Sequence, residues 1–191
     1  MDLQIANWIY KTFGANEVVL KIAKFITHFG DAISIITMIA LLLIFKRTRK
    51  VGCFAMVSVL IAFLVNNYVL KILIARDRPY EANAELLKAI ELAGYNLPSG
   101  HSMPSGHSLA SMTLAVSIFM FNKKYGAISI GVAVVIGMTR MILCVHYLTD
   151  VLVGFAVGTL FAITMHYLIK FIIKKYLKRK EIKNENYSAR N

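Results

Sequence analysis

Pro-Ser-Gly-His occurs twice in this chain, at 98–101 and 104–107, although its 191 residues hold only three prolines and five histidines. The second copy runs straight into the apolar stretch Leu109 to Phe121. Gly and Pro end regular structure before that stretch, and Ser105 or Ser108 suits the cap of a helix starting there. Free backbone N–H groups at such a start, beside a small Ser and a Gly without a side chain, form a seat for a phosphate-like anion. A His at the edge of the seat can give or take a proton.

Two further stretches carry side chains suited to the same chemistry. Thr139-Arg140 is followed by His146 and Asp150. An Arg inside an apolar run is costly and reads by default as functional. His146 and Asp150 are spaced i,i+4. On a helix the carboxylate would accept from one ring nitrogen and leave the other free as nucleophile or base. Upstream lie Lys71, Arg76, Asp77, Arg78 and Pro79. Lys71 and Arg78 are seven apart, two helical turns, so they are expected to project from one face at the membrane surface. Ordinary snorkelling anchors would look similar. Arg76 and Asp77 read equally as an ion pair beside the site or as a plain exposed pair.

The elements that must position these residues read as membrane helices. The chain is 58% hydrophobic, more than a soluble domain of this size carries. Its net charge of +12 is gathered in clusters between apolar runs, a membrane topology signal, and so excludes nucleic acid as the partner. Apolar runs at about 32–45, 51–70, 105–121, 126–145 and 149–169 suggest an all-α integral membrane protein, a bundle of five to six transmembrane helices. Residues 1–28 mix apolar residues at helical spacing with lysines, which suits N-terminal amphipathic helices lying at the interface. Residues 29–170 then form the transmembrane domain and 171–191 a basic cytoplasmic tail. Cys53 and Cys144 fall within apolar runs and read as small buried hydrophobes. The basic clusters at 46–50, 123–124 and 170–180 belong on the cytoplasmic side. Lys71, Arg78, the Pro-Ser-Gly-His copies and the 140–150 turn are then expected on the outer face. Basic residues clustered on that face argue for an anionic ligand.

Lys71 with six residues to Arg78-Pro79, then Pro104-Ser-Gly-His107, then Arg140 with His146 and Asp150, resembles the three-part signature of the type 2 phosphatidic acid phosphatase superfamily. That superfamily also holds vanadium haloperoxidases and bacterial acid phosphatases. The one departure is Thr139, where the family usually has Ser. The resemblance covers about residues 30–170, and the helical layout is similar to the bacterial integral-membrane branch. It implies that His146 attacks phosphorus and becomes phosphohistidine, that Asp150 holds its tautomer, and that His107 is the general acid and later the base. It also implies that Lys71, Arg78, Arg140, Ser105 and the Gly106 N–H cradle the phosphoryl oxygens, with no metal or cofactor required. His107 suits the motif position better than His101, because Leu109 starts the next apolar run directly after it. His101 and Arg76 are expected at the rim. His28 and His166 match no motif and read as packing residues.

The resemblance points to hydrolysis of a terminal phosphate on a lipid, at the outer face of a bacterial cytoplasmic (inner) membrane. Undecaprenyl pyrophosphate leads as substrate, followed by phosphatidylglycerophosphate, then phosphatidic acid or a lipid A phosphate. All of them present a terminal phosphoryl group to the same cradle, and the motifs do not separate them. A non-catalytic, lipid-binding or lipid-moving relative would be expected to lack one of His107, His146 and Asp150, and all are present. A haloperoxidase would need vanadate and a soluble helical shell, against which the apolar runs speak.

Overall fold

The computed structural model describes residues 1–188, and among them all regular structure is helical. In chain order the α-helices are α1 (Asp2–Ile9), α2 (Glu17–Thr27), α3 (Ala32–Ile44), α4 (Arg49–Val65), α5 (Lys71–Ile74), α6 (Pro79–Ala82), α7 (Leu87–Ala93), α8 (Gly106–Phe119), α9 (Lys123–Ile142) and α10 (Leu148–Ser188). A π-turn over Asn66–Leu70 joins α4 to α5 as one rod. Length and composition allow Arg49–Ala82, Lys123–Ile142 and Leu148–Glu181 to cross a bilayer. Glu17–Gly30 and Ala32–Ile44 add a fourth crossing if their 48° bend is one broken span.

α8 is the axis of the bundle, packed between α4, α9 and α10. Its buried side chains, among them Leu109, Met112, Thr113, Val116 and Ser117, run around its whole circumference. A helix without a polar face is an interior helix. Around it the outward residues stay apolar: Ile33, Ile36, Phe63, Val132 and Leu160 are all exposed. Such a belt suits hydrocarbon and would be an aggregation surface in water.

Small residues let the interior helix be gripped. A Cβ on Gly158 of α10 would lie 2.6 Å from the Leu109 carbonyl oxygen, and one on Gly154 would lie 2.9 Å from that of Ser105. The small-xxx-small spacing of these glycines brings α10 backbone onto α8, as packing in lipid favours.

A second cluster forms a roof at the other end of α8 from Phe119. Ala6 of α1, Leu20 and Ala23 of α2, and Leu86, Ala89, Ile90 and Ala93 of the 84–93 segment close over Leu143, Cys144, Val145 and Tyr147. The N-terminal amphipathic helices therefore cover the turn that carries His146. At the far end of the chain, α10 runs without a break through Ile169 into the lysine-rich tail. The expected boundary at 170 is not an element boundary, and residues 189–191 lie outside the described residues.

Gly158→Ala should destabilise the protein by about 1–3 kcal/mol through overpacking against Leu109. Gly131→Ala, whose Cβ meets nothing within 4 Å, should not. Thermal unfolding in detergent checks the pair, and equal melting temperatures would contradict the close α8–α10 contact.

Candidate active site

The site gathers at the start of α8, where backbone geometry changes the arrangement expected from spacing alone. Lys71 and Arg78 do not share a helix face. The helix ends at Ile74 because Ala75 turns left-handed, at φ 47°. Arg78 then takes an extended conformation, as a residue before proline prefers, and caps the short α6. The break swings Arg78 inward, and its side chain is 2% exposed. Its Nε donates to the Gly100 carbonyl at 2.8 Å, one terminal nitrogen to Val145 O at 2.9 Å, and the other to Ser99 O at 3.2 Å. The first Pro-Ser-Gly-His is thus a carbonyl collar for Arg78, bent by Gly100 at φ 73°. Within it the His101 side chain is exposed.

His146 and Asp150 are not stacked on one helix either. Residues 143–147 form a tight turn, left-handed at Cys144 (φ 55°), and α10 starts only at Leu148. The His146 Nδ1–Asp150 Oδ2 separation is 3.5 Å. Ser102 stands beside both: its hydroxyl donates to Asp150 Oδ2 and lies 3.4 Å from His146 Nδ1. The other ring nitrogen, Nε2, is 3.4 Å from Arg78. Burial keeps the His146 imidazole below its ordinary value, and Arg140 and Arg78 push the same way against Asp150. The ring is therefore neutral, with one nitrogen turned toward Asp150 and Ser102 and the other toward a guanidinium.

Asp150 itself is fully buried and has several donors. Tyr147 N–H reaches Oδ2 at 2.8 Å, and Arg76 reaches Oδ1 at 2.7 Å. Arg76 is thus no rim residue and makes no pair with Asp77. It bridges Asp150, Thr149 Oγ1 at 2.6 Å and Asp2 Oδ2 at 2.7 Å, lying 4.0 Å over the Tyr147 ring. Ser102 and Asp2 had no signal in the sequence, because neither belongs to a motif.

The helix starts where the glycine and serine suggested, without the side-chain cap bond. α8 begins at Gly106 with Ser105 as N-cap, but the Ser105 hydroxyl makes no cap bond and accepts instead from Ser108. The Ser105 N–H donates to the Asp150 carbonyl at 3.0 Å, stitching the seat to α10. Lys71 lies within charge–charge range of Arg78, Arg140 and Asp150. Arg140, at the end of α9, is 1% exposed and donates to Thr27 Oγ1 at 2.7 Å and Tyr95 Oη at 2.8 Å. Its Nε is buried with no partner among the described residues. Asn66, beneath Gly106, likewise has both amide atoms unpartnered among them.

His107 meets a partner that the motifs do not contain. Its Nε2 is 2.6 Å from Asp31 Oδ1, and the other Asp31 oxygen is 2.6 Å from His28 Nδ1. His28 is therefore not a packing residue but the second arm of a carboxylate bridge. The bond from His107, assisted by His28, holds the Asp31 carboxyl down at about 2. Beside the bridge is a cavity of about 390 Å³ lined by Lys24, His28, Asp31 and residues 94–99.

The assembly can hold a tetrahedral anion among Lys71, Arg78, Arg140 and the start of α8, with a neutral imidazole at one side and His107 at the other. Among the described residues, no group of three or more His, Cys, Asp or Glu is placed to hold a metal ion.

Residues 51–174 match the model of the PAP2 superfamily. An undecaprenyl-diphosphatase of Sulfolobus acidocaldarius is 31% identical over 155 residues, covering 79% of this chain and 72% of that protein. A transmembrane PAP2 type phosphatidylglycerolphosphate phosphatase from Bacillus subtilis superposes with a TM-score of 0.70 at 24% identity, covering 90% of this chain and 85% of its own. Aquifex aeolicus LpxE superposes with a TM-score of 0.66 at 22% identity, covering 84% and 93% respectively. Those two likenesses bear on the fold.

Arg76→Met would leave the buried Asp150 carboxylate without its cation. Breaking a buried pair costs about 3–5 kcal/mol, so a large drop in melting temperature is expected in detergent. Asp2→Ala keeps the Arg76–Asp150 contact and should cost about 1 kcal/mol or less, as for a partly exposed pair. Equal melting of Arg76→Met and wild type would mean that Ser102 and the Tyr147 N–H suffice.

Proposed function

The chain belongs to the PAP2 superfamily and is a phosphatase of that family, and from this premise we propose that it releases the terminal phosphate of undecaprenyl pyrophosphate through a phosphohistidine on His146. The observation that carries the mechanism is the placement of the His146 ring, neutral, with Nδ1 toward Asp150 and Ser102 and Nε2 beside Arg78. Nε2 attacks phosphorus, the bond to the leaving oxygen breaks, and His107 delivers a proton to that oxygen. Water then attacks the phosphohistidine, His107 takes its proton, and inorganic phosphate departs. Lys71, Arg78, Arg140, Ser105 and the N–H groups from Gly106 onward neutralise charge that builds in the transition state. Asp150 orients His146 and offsets the charge on the imidazolium as the bond forms. The cradle is cationic without a metal, so turnover should persist in EDTA.

The substrate rests on the 31% identical undecaprenyl-diphosphatase and on the polar cavity beside Asp31. That cavity touches the partner of His107 rather than those of His146, which is the leaving-group side of an in-line transfer. Lys24 and His28 on its wall suit a leaving group that still carries a phosphate. A panel of lipids in detergent should show a kcat/KM at least about tenfold higher for undecaprenyl pyrophosphate than for phosphatidylglycerophosphate, the cost of roughly 1.4 kcal/mol of binding. The opposite ranking would assign the runner-up.

His146→Ala should lose turnover with substrate binding retained, since the cationic cradle is untouched. Acid-labile ³²P labelling of the wild type, absent in the variant, is the expected result. A near-normal rate in His146→Ala would remove it as nucleophile.

In this reading the site faces the extracytoplasmic side of the cytoplasmic membrane. In support, the clusters Lys46 to Lys50 and Lys123-Lys124 follow α3 and α8 at the bundle end away from His107. Impermeant thiol labelling should reach a cysteine placed at 85, in the roof, and not one at 48. Labelling at 48 from outside would reverse the orientation.

A further inference from the structure

We propose that Asp31 is a positioning residue for His107, clamped from behind by His28, so that the site works with two carboxylate–histidine pairs rather than one. The inference rests on His107 as the general acid.

Asp31 is the N-cap residue of α3, and Asp at that position ordinarily accepts from the free N–H groups of the first turn. Here it makes no side-chain cap bond, and both its oxygens go to imidazoles at 2.6 Å. Forgoing the cap is a cost that the two histidine contacts offset. The backbone is shaped for the same contact. A Cβ on Gly30 would lie 3.0 Å from His107 Cδ2 and 2.7 Å from Ile136, so only glycine lets the ring approach Asp31 from this side. The 48° bend between α2 and α3 falls at residues 30–31, which turns the carboxylate toward α8.

The electrostatics explain why a general acid here needs such a partner. Burial is the first influence against a protonated imidazole at His107, and the cations facing it, Arg140 and Lys71, push the same way. Asp31, ionised and bonded to Nε2, is the anion beside it, so the imidazolium that must exist before proton transfer keeps a counter-charge. Nδ1 has no protein partner among the described residues and is left for the leaving oxygen. His28, half exposed on the cavity wall, fixes the other carboxylate oxygen and prevents Asp31 from rotating away.

The test uses the full-length protein in detergent, with phosphatidic acid, which must expel an alkoxide, as the poor-leaving-group substrate and p-nitrophenyl phosphate as the good one. Asp31→Asn should lower kcat on phosphatidic acid about 10–100-fold, the usual cost of losing an orienting partner, with KM changed less than about threefold. The burst of p-nitrophenolate, which reports phosphohistidine formation and needs no proton, should fall by less than about threefold. Asp31→Ser can cap α3 and should show the same loss. Gly30→Ala, which displaces the ring and leaves the carboxylate, should show it too. Recovery of wild-type kcat in Asp31→Ser would reduce Asp31 to a helix cap and overturn the inference, as would equal losses on both substrates. His107→Ala separates the two levels of the reading. If it is inactive while Asp31→Asn is unimpaired, only this inference fails; if it is active, the general-acid assignment fails with it.

Discussion

A fully buried carboxylate inside a bundle built for lipid has to find all of its donors within the protein, and Asp150 meets that requirement by drawing the three motif regions together. Arg76 comes from the broken end of the second apolar rod, Ser102 from the loop between the two Pro-Ser-Gly-His copies, and the Tyr147 N–H from the turn that carries His146. Its backbone carbonyl takes the Ser105 N–H and so locks the start of α8. Residues about 75 positions apart in sequence are thus fixed around one ion. The position of the His146 ring follows from that packing more than from its own 3.5 Å contact with Asp150.

The cations of the site are held by the same logic applied to donors. Arg78 is spent on carbonyls of Ser99, Gly100 and Val145, and Arg140 on Thr27 and Tyr95. Each is oriented by neutral oxygen rather than by a carboxylate, so its charge stays uncompensated and available to an anion. Carboxylates are kept at the two histidines instead, Asp150 behind His146 and Asp31 behind His107. This division keeps the arginine cations apart from the two carboxylate–histidine pairs. It also explains the unpartnered Arg140 Nε and Asn66 amide near the seat, which a bound anion or water would satisfy.

The bundle places this constellation below the roof. α8 has 14 residues and spans about 21 Å, short of the roughly 30 Å hydrocarbon thickness. If its Phe119 end lies near the Lys123-Lys124 anchor, the Gly106 seat lies several ångströms beneath the opposite surface. The roof of α1, α2 and the 84–93 segment fills that depth with apolar side chains, so the sequence's amphipathic start is a structural part of the site.

By itself the sequence determined the all-helical membrane character, the start of the interior helix at Gly106, and the motif residues that gather there. Those features follow from local physics: hydrocarbon demands long apolar runs, and an Arg inside such a run is too costly to be incidental. Tertiary structure alone decided how the residues are aimed. Ala75 turning left-handed separates Arg78 from the Lys71 helix face, and the turn at Cys144 takes His146 off the helix of Asp150. Asp2 to Arg76 and Asp31 to His107 are contacts across more than 70 residues, and no spacing rule links positions that far apart. The pair His28 and Asp31, three apart before the first apolar run, was visible as residues. What it holds became visible only once α8 was packed against the bend, because a carboxylate's partner is set by the backbone that carries it there.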